Sequence, residues 1–209
     1  MNPTDADKAY REIKGKIITV EMPPGSIIHE VQLMEELDLG RTPIREALKR
    51  LQAENLVVVA PRRGMFVAEI AITDLQQIYE VRVELESLCA RLAAERITPE
   101  QLEEISCLVD EYQCGDRRDK KWLMTLDRRV HFLLAEAAAN KFLRTEFEVF
   151  YNLSLRIWYL ALNEVQPEDI DVEAHLEVLE AVKTQNAELA ERRMRKHIKH
   201  FHDAIKLYL

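Results

Sequence analysis

The apolar side chains of this chain change their rhythm along its length. From Ala6 to Val20 they return at helical intervals, at Tyr10, Ile13 and Ile17, and Met22-Pro23-Pro24-Gly25 then stops the run. Ser26-Ile27-Ile28 is a short apolar piece. Val31, Leu33, Met34 and Leu37 after it predict one or two helical turns, closed by a turn at Leu39-Gly40. Thr42 reads as an N-cap with Pro43 at the first helical position, where the missing N–H costs nothing. Ile44, Ala47, Leu48 and Leu51 give the next helix an inner face and leave Arg41, Arg45, Lys49 and Arg50 outward. Past Asn55 the pattern becomes Leu56-Val57-Val58-Val59, Pro61-Arg62-Arg63-Gly64 and Met65-Phe66-Val67, which predicts a hairpin with a basic tip.

The rest of the chain has no strand signal. Thr73 with Gln76 predicts a capping box for a helix running to about Glu95, and Thr98-Pro99 with Gln101 opens another. Further helical patterns cover about Asp119–Ala138, Lys141–Asn163, Ile170–Thr184 and Ala187–Leu207. The fold class expected is therefore mostly α. A winged helix-turn-helix with a small β-hairpin wing occupies residues 1–69, and an all-α bundle of six helices occupies residues 73–209.

Charge sharpens the division. The 209 residues carry a net charge of −8, yet Leu37 to Val67 holds six basic side chains against three carboxylates. Such a segregated patch points to a local contact with duplex DNA, with a helix in the major groove and the basic hairpin on phosphate or in the minor groove. For a single basic helix an ordinary solvated face is the favoured reading. The preceding short helix and the Arg-Arg-Gly hairpin tip the balance. Cys89, Cys107 and Cys114 are odd in number and lack CxxC spacing, which predicts reduced thiols and a cytoplasmic location. No run approaches the ~20 apolar residues of a membrane span, and the charged N-terminus lacks a signal core.

The candidate chemistry of the second half is polar residues on inward faces. Asp127 and His131 are four apart and share a face with Met124, Leu134 and Ala135. His175 sits among Val172, Leu176 and Leu179, and His197 follows Met194 and precedes Phe201. One carboxylate and three imidazoles from three helices suit Zn²⁺, Ni²⁺ or another borderline divalent ion. Taken singly, each histidine is more often a satisfied core or surface residue than a ligand. His200 and His202 fall on other faces of the last helix and are expected to be exposed. Arg82 lies on the stripe Leu75, Ile78, Arg82, Leu85, Cys89 and Leu92, so its guanidinium needs an anion. That anion is either Glu86 or the carboxylate of a bound small molecule. Arg156, with Asn152 one turn before it, is a candidate of the same type.

These residues also carry a family resemblance. Pro24-Gly25, Leu33 to Leu37, GRTPIREALKRLQAENLV and RRGMFV resemble the N-terminal domain of GntR-type bacterial transcription regulators. The resemblance implies that Arg41 and Thr42 approach bases, that Arg45 and its polar neighbours hold phosphates, and that Gly64 lets the wing enter a groove. Gly40 stands where that family usually has Ser or Thr, and Asn55 where it usually has Gly. YEVRVELESLCARLAA, LDRRVHFLLAEAAAN, EAHLEVLEAV and RRMRKHIKHF resemble the FCD ligand-binding domain of FadR-type members, in the six-helix VanR-like form. In its metal-binding members the ligands are those that correspond to Asp127, His131, His175 and His197.

The function expected is a DNA-binding transcriptional regulator, a repressor, acting as a homodimer on a palindromic operator. A small organic acid bound at a divalent metal site controls its operator affinity. A metal-dependent enzyme built on the bundle is the alternative of a different class, and no visible motif supplies its general base. A regulator whose metal is purely structural is the other.

Overall fold

The computed structural model describes residues 3–116, 119–162, 164 and 172–208, which fall into two compact units. The first comprises the chain up to Ala71 together with Leu155–Leu160, and the second comprises Ile72–Ser154 and Ala161 onward.

In the first unit, α1 (Asp5–Ile18) opens on a capping box in which the Thr4 hydroxyl accepts from Asp7 N–H and the Asp7 carboxylate accepts from Thr4 N–H. Helices α2 (Glu30–Leu37) and α3 (Arg41–Ala53) follow, then β1 (Val57–Ala60) and β2 (Gly64–Val67). Ala9, Ile13 and Ile17 of α1 bury completely, as do Ile44, Ala47, Leu48 and Leu51 of α3. The predicted inner face of α3 is therefore its real one, and Arg41, Arg45, Lys49 and Arg50 are exposed.

Two local expectations fail. Thr42 is not the N-cap of α3; Gly40 is, without a side-chain bond, and Thr42 and Pro43 lie inside the first turn. Pro43 is tolerated there because the first four N–H groups of a helix have no intrahelical acceptor, and the ladder begins with Ile44 N–H on the Gly40 carbonyl. The chain also turns one residue earlier than Leu39-Gly40. Asp38 takes the left-handed conformation (φ 53°) after α2, a geometry Asp tolerates, and leaves Gly40 extended.

The strands pair antiparallel with Val57 opposite Val67 and Ala60 opposite Gly64. Asn55 enters β1 at φ 60°, in the left-handed region. At the tip Arg63 N–H bonds the Ala60 carbonyl at 3.0 Å, so Pro61 and Arg62 form the corner of a type II-like turn, with Arg62 at φ 65°. Ser26-Ile27-Ile28 continues the sheet, because Val67 N–H bonds Ser26 O and Ile28 N–H bonds Met65 O, both at 2.9 Å. Periodicity had marked that piece only as apolar.

The second unit holds α4 (Ile72–Arg96), α5 (Pro99–Cys114), α6 (Lys120–Ala137), most of α7 (Lys141–Ala161), α8 (Val172–Lys183) and α9 (Ala187–Ile205). The Thr98–Gln101 capping box forms as expected, while α4 begins before Thr73, and the Gln76 side chain bonds Glu80 and His202 instead of reaching back. The outer ends expected at Asn163 and Ile170 lie outside the described residues. Helix α4 packs against α9, α6 and α8, with Ala90 and Ala93 of α4 fully buried. Leu108, Leu126, Val130, Leu134, Val178, Val182, Met194 and Ile198 complete the core. Among the described residues no helix is long and apolar enough to cross a membrane.

Candidate metal centre and DNA-binding face

Asp127 and His131 stand one turn apart on α6, His175 comes from α8 and His197 from α9. One ligand atom from each lies within 4.8 Å of all the others. Asp127 Oδ1 is 3.0 Å from His175 Nε2 and 3.6 Å from His131 Nε2, and the Nε2 atoms of His131 and His197 are 3.3 Å apart. Ligands held about 2.1 Å from one ion sit roughly 3.0 to 3.4 Å from their neighbours in octahedral or tetrahedral arrangement. These three edges fall in or near that range. The imidazoles are only 2 to 5% exposed, whereas the Asp127 side chain is 26% exposed, so solvent reaches the cluster at its carboxylate side.

A second layer orients these groups. The His131 Nδ1 atom lies in ion-pair contact with Glu86 Oε2, while Nε2 faces the cluster. Tyr151 donates to Asp127 Oδ2 at 2.6 Å and leaves Oδ1 for the centre. The Tyr112 ring stacks on His175, 5.6 Å between centroids. Glu86 also receives Arg82 Nε at 2.5 Å, and Arg82 Nη1 bonds Ser154 Oγ. Arg82 is thus buried, as its stripe implied, with Glu86 as its anion.

The titration behaviour follows from this packing. Burial lowers the His131 pKa, but the Glu86 and Asp127 carboxylates outweigh it and hold the imidazole up to about 9. Burial, with His175 and His131 alongside, pushes His197 well below the usual histidine value. Burial would raise Asp127, yet His131 and His175 hold it well below the usual carboxylate range. Burial and the Asp127 charge both raise Tyr151, so it stays protonated and remains a donor. The centre therefore holds one carboxylate, one readily protonated imidazole and one imidazole that resists a proton. His197 Nε2 can point its lone pair at His131 Nε2 only with a cation or a proton between them. The donor set fits a divalent ion.

Sequence reasoning missed Tyr151, Tyr112 and Ser154, because nothing in their spacing links them to Asp127, His175 or Arg82. It named Glu86 only as an ion partner. The other expected effector residues are engaged within the protein. Asn152 donates to the Glu148 carbonyl at 2.6 Å and accepts from Arg128, and Arg156, in the first unit, donates to the Ala68 carbonyl. Burial draws the Arg156 pKa down to about 10. His202 is a correction: it is 3% exposed, stacked on Tyr79 at 4.1 Å and bonded to Gln76. Tyr79 and Gln76 both belong to α4, so α4 covers the side of α9 that carries His202.

On the first unit, Arg41, Arg45 and Lys49 follow at four-residue intervals along the open face of α3, with Thr42 beside Arg41. Arg50 is turned away to Asp7 (2.8 Å) and lies over the Tyr10 ring. At the wing tip Arg62, Arg63 and Gly64 are exposed. Among the described residues Arg41, Lys49, Arg62 and Arg63 enter no ion pair, which leaves four cations with only water to neutralise them.

Comparison with known proteins accounts for both halves. The family described as bacterial regulatory proteins, gntR family, matches residues 5–67, and the FCD domain matches residues 77–200. The HTH-type transcriptional repressor RspR of Escherichia coli (strain K12) is 23% identical over 209 residues, covering 99% of this chain and 92% of its own. The Nta operon transcriptional regulator of Aminobacter aminovorans is 29% identical over 155 residues, 74% of this chain and 72% of that one. Among solved structures, E. coli McbR/YncC superposes with a TM-score of 0.85 at 22% identity over 98% of both chains, a likeness of fold. The two family matches define a DNA-binding transcriptional regulator. The chain belongs to the GntR family of bacterial regulators, with an FCD domain following the DNA-binding one.

Proposed function

We propose that this regulator is a homodimeric repressor that grips a palindromic operator and is released by a small carboxylate metabolite bound at a divalent ion. Arg41, Thr42, Arg45 and Lys49 enter the major groove, while Arg62, Arg63 and Gly64 of the wing reach the neighbouring backbone or minor groove. Asp127, His131, His175 and His197 hold the ion, Zn²⁺ or Ni²⁺. The observation that carries the sensing half is the convergence of four ligand atoms within 4.8 Å, of which Asp127, among the described residues, is the most exposed. An ion with one carboxylate and three neutral imidazoles keeps one positive charge, which supports an anionic effector at its remaining positions.

One observation favours a second reading, a purely structural ion. Arg82 already has Glu86 and Ser154, so it brings no unpaired charge to an effector. Calorimetry with a panel of small carboxylates separates the two, run on metal-loaded and chelated protein. The sensing reading expects binding that needs the ion and weakens operator affinity. A structural ion gives none, and chelation then only lowers the melting temperature.

The Asp127 orientation has a smaller test. Tyr151→Phe removes the bond to Oδ2 and is expected to weaken metal affinity about tenfold, at the low end for second-layer partners. A competition titration with a chromophoric chelator reads this directly. Affinity equal to wild type would mean that Asp127 needs no such support.

A further inference from the structure

Of the three cations on the open face of α3, Arg41, Arg45 and Lys49, Arg45 alone is already engaged among the described residues. Its Nε lies 3.3 Å from Oε1 and 3.2 Å from Oε2 of Glu30, fifteen residues earlier in the chain. Neither Nη atom makes a hydrogen bond among the described residues. The inner edge of the guanidinium is therefore held while the outer fork stays free, on a side chain 61% exposed. Glu30, the first residue of α2, is only 22% exposed at its side chain.

A carboxylate beside a cationic DNA-binding face works against phosphate attraction, since it cancels a charge that the backbone of DNA would otherwise meet. We propose that Glu30 is a positioning residue which aims the Arg45 guanidinium, so that the protein discriminates between sequences at the expense of general electrostatic grip. This rests on the reading of α3 as the DNA-contacting helix. A free arginine carries roughly 2 kcal/mol of side-chain entropy, and holding Nε fixes the plane and leaves two parallel Nη donors. Those donors match a phosphate or the O6/N7 edge of a guanine two-pronged, provided that the plane is set in advance.

A simpler role competes. A carboxylate at the first position of a helix is favoured by the helix dipole, and His29 caps α2 without a side-chain bond. Glu30→Asp separates the roles, because it keeps the charge at the start of α2 on a side chain one methylene too short to reach Arg45 as Glu30 does.

The probes are the duplex pool that wild-type protein selects from a randomised library and a scrambled duplex of the same length. Fluorescence anisotropy over a salt series gives both affinities. Glu30→Ala and Glu30→Asp are each expected to lose about tenfold on the selected duplex while binding the scrambled one as tightly as wild type or tighter. Their specificity ratio then falls tenfold or more, in the range of a mismatched base pair. In an Arg45→Ala background the same changes at Glu30 leave the ratio unmoved. Equal tightening on both duplexes overturns the proposal and makes Glu30 only a repelling charge. A wild-type ratio in Glu30→Asp also overturns it and leaves the dipole role. If wild-type protein selects no duplex at all, the DNA-binding reading fails first, a result distinct from selection with an unchanged ratio.

Discussion

His175→Ala is expected to weaken divalent-ion affinity by more than a hundredfold, beyond the roughly 10–100-fold cost of losing a second-layer partner. Operator binding without effector should stay near wild type. The imidazole sits 3.0 Å from Asp127 and stacks on Tyr112, so its loss opens one corner of a centre that lies within the second unit. Elemental analysis of the dialysed protein and chelator competition measure the first effect, and anisotropy on the selected duplex measures the second. Loss of metal and DNA binding together would mean that the ion is needed to fold the chain. The pH dependence gives an independent check. His131 is held up to about 9 by Glu86 and Asp127, so a proton must leave it before an ion can take Nε2. Apparent affinity should therefore rise about tenfold per pH unit from pH 7 to 9 and flatten above. The metal-free protein has the opposite trend from this residue. A raised folded-state pKa stabilises fully below the unfolded value of about 6.5 and is lost as pH climbs through 9. His197, pushed down, destabilises instead when pH falls below about 6.5, since its burial opposes charging.

Which features were readable in the sequence depends on how far apart the interacting residues are. The buried face of α3 at Ile44, Ala47, Leu48 and Leu51 and the Thr98–Gln101 cap are decided within a few residues, and spacing shows both. The four-residue step from Asp127 to His131 puts two candidate ligands on one face for the same reason. That His175 and His197 arrive opposite them depends on how α6, α8 and α9 pack, which no local pattern encodes. The resemblance to FCD domains suggested that arrangement. Tyr151 meeting Asp127 across 24 residues and Arg82 meeting Ser154 across 72 carry no local signal. The cap of α3 failed differently. Thr42 and Gly40 are both acceptable caps, and the left-handed Asp38 ended α2 early enough for Gly40 to take the position. His202 was misjudged because one face of α9 was assumed buried, whereas α4 and α8 both pack on it.

The wing and the recognition helix should fail in different ways when their charges are removed. Arg62 sits at φ 65°, where alanine would be nearly as strained as arginine, so Arg62→Gly is the change that keeps the turn. Combined with Arg63→Ala it takes four cations from a dimer. If the wild-type dimer neutralises ~8 phosphates, its log-affinity against log-salt slope is about −7, and this variant should show about −3 to −4. Its affinity should fall alike on selected and scrambled duplexes, because contacts to phosphate carry no sequence information. Arg41→Ala is expected to leave the slope within about one unit per lost contact, yet cost roughly 1–3 kcal/mol per half-site on the selected duplex only. The reason is positional. Arg41 is the first residue of α3, where side chains of a groove-bound helix reach base edges, whereas Arg62 and Arg63 project from a hairpin corner. An Arg41→Ala protein that loses equal affinity for both duplexes would place α3 along the backbone instead of in the groove. The wing would then be left as the element that reads sequence.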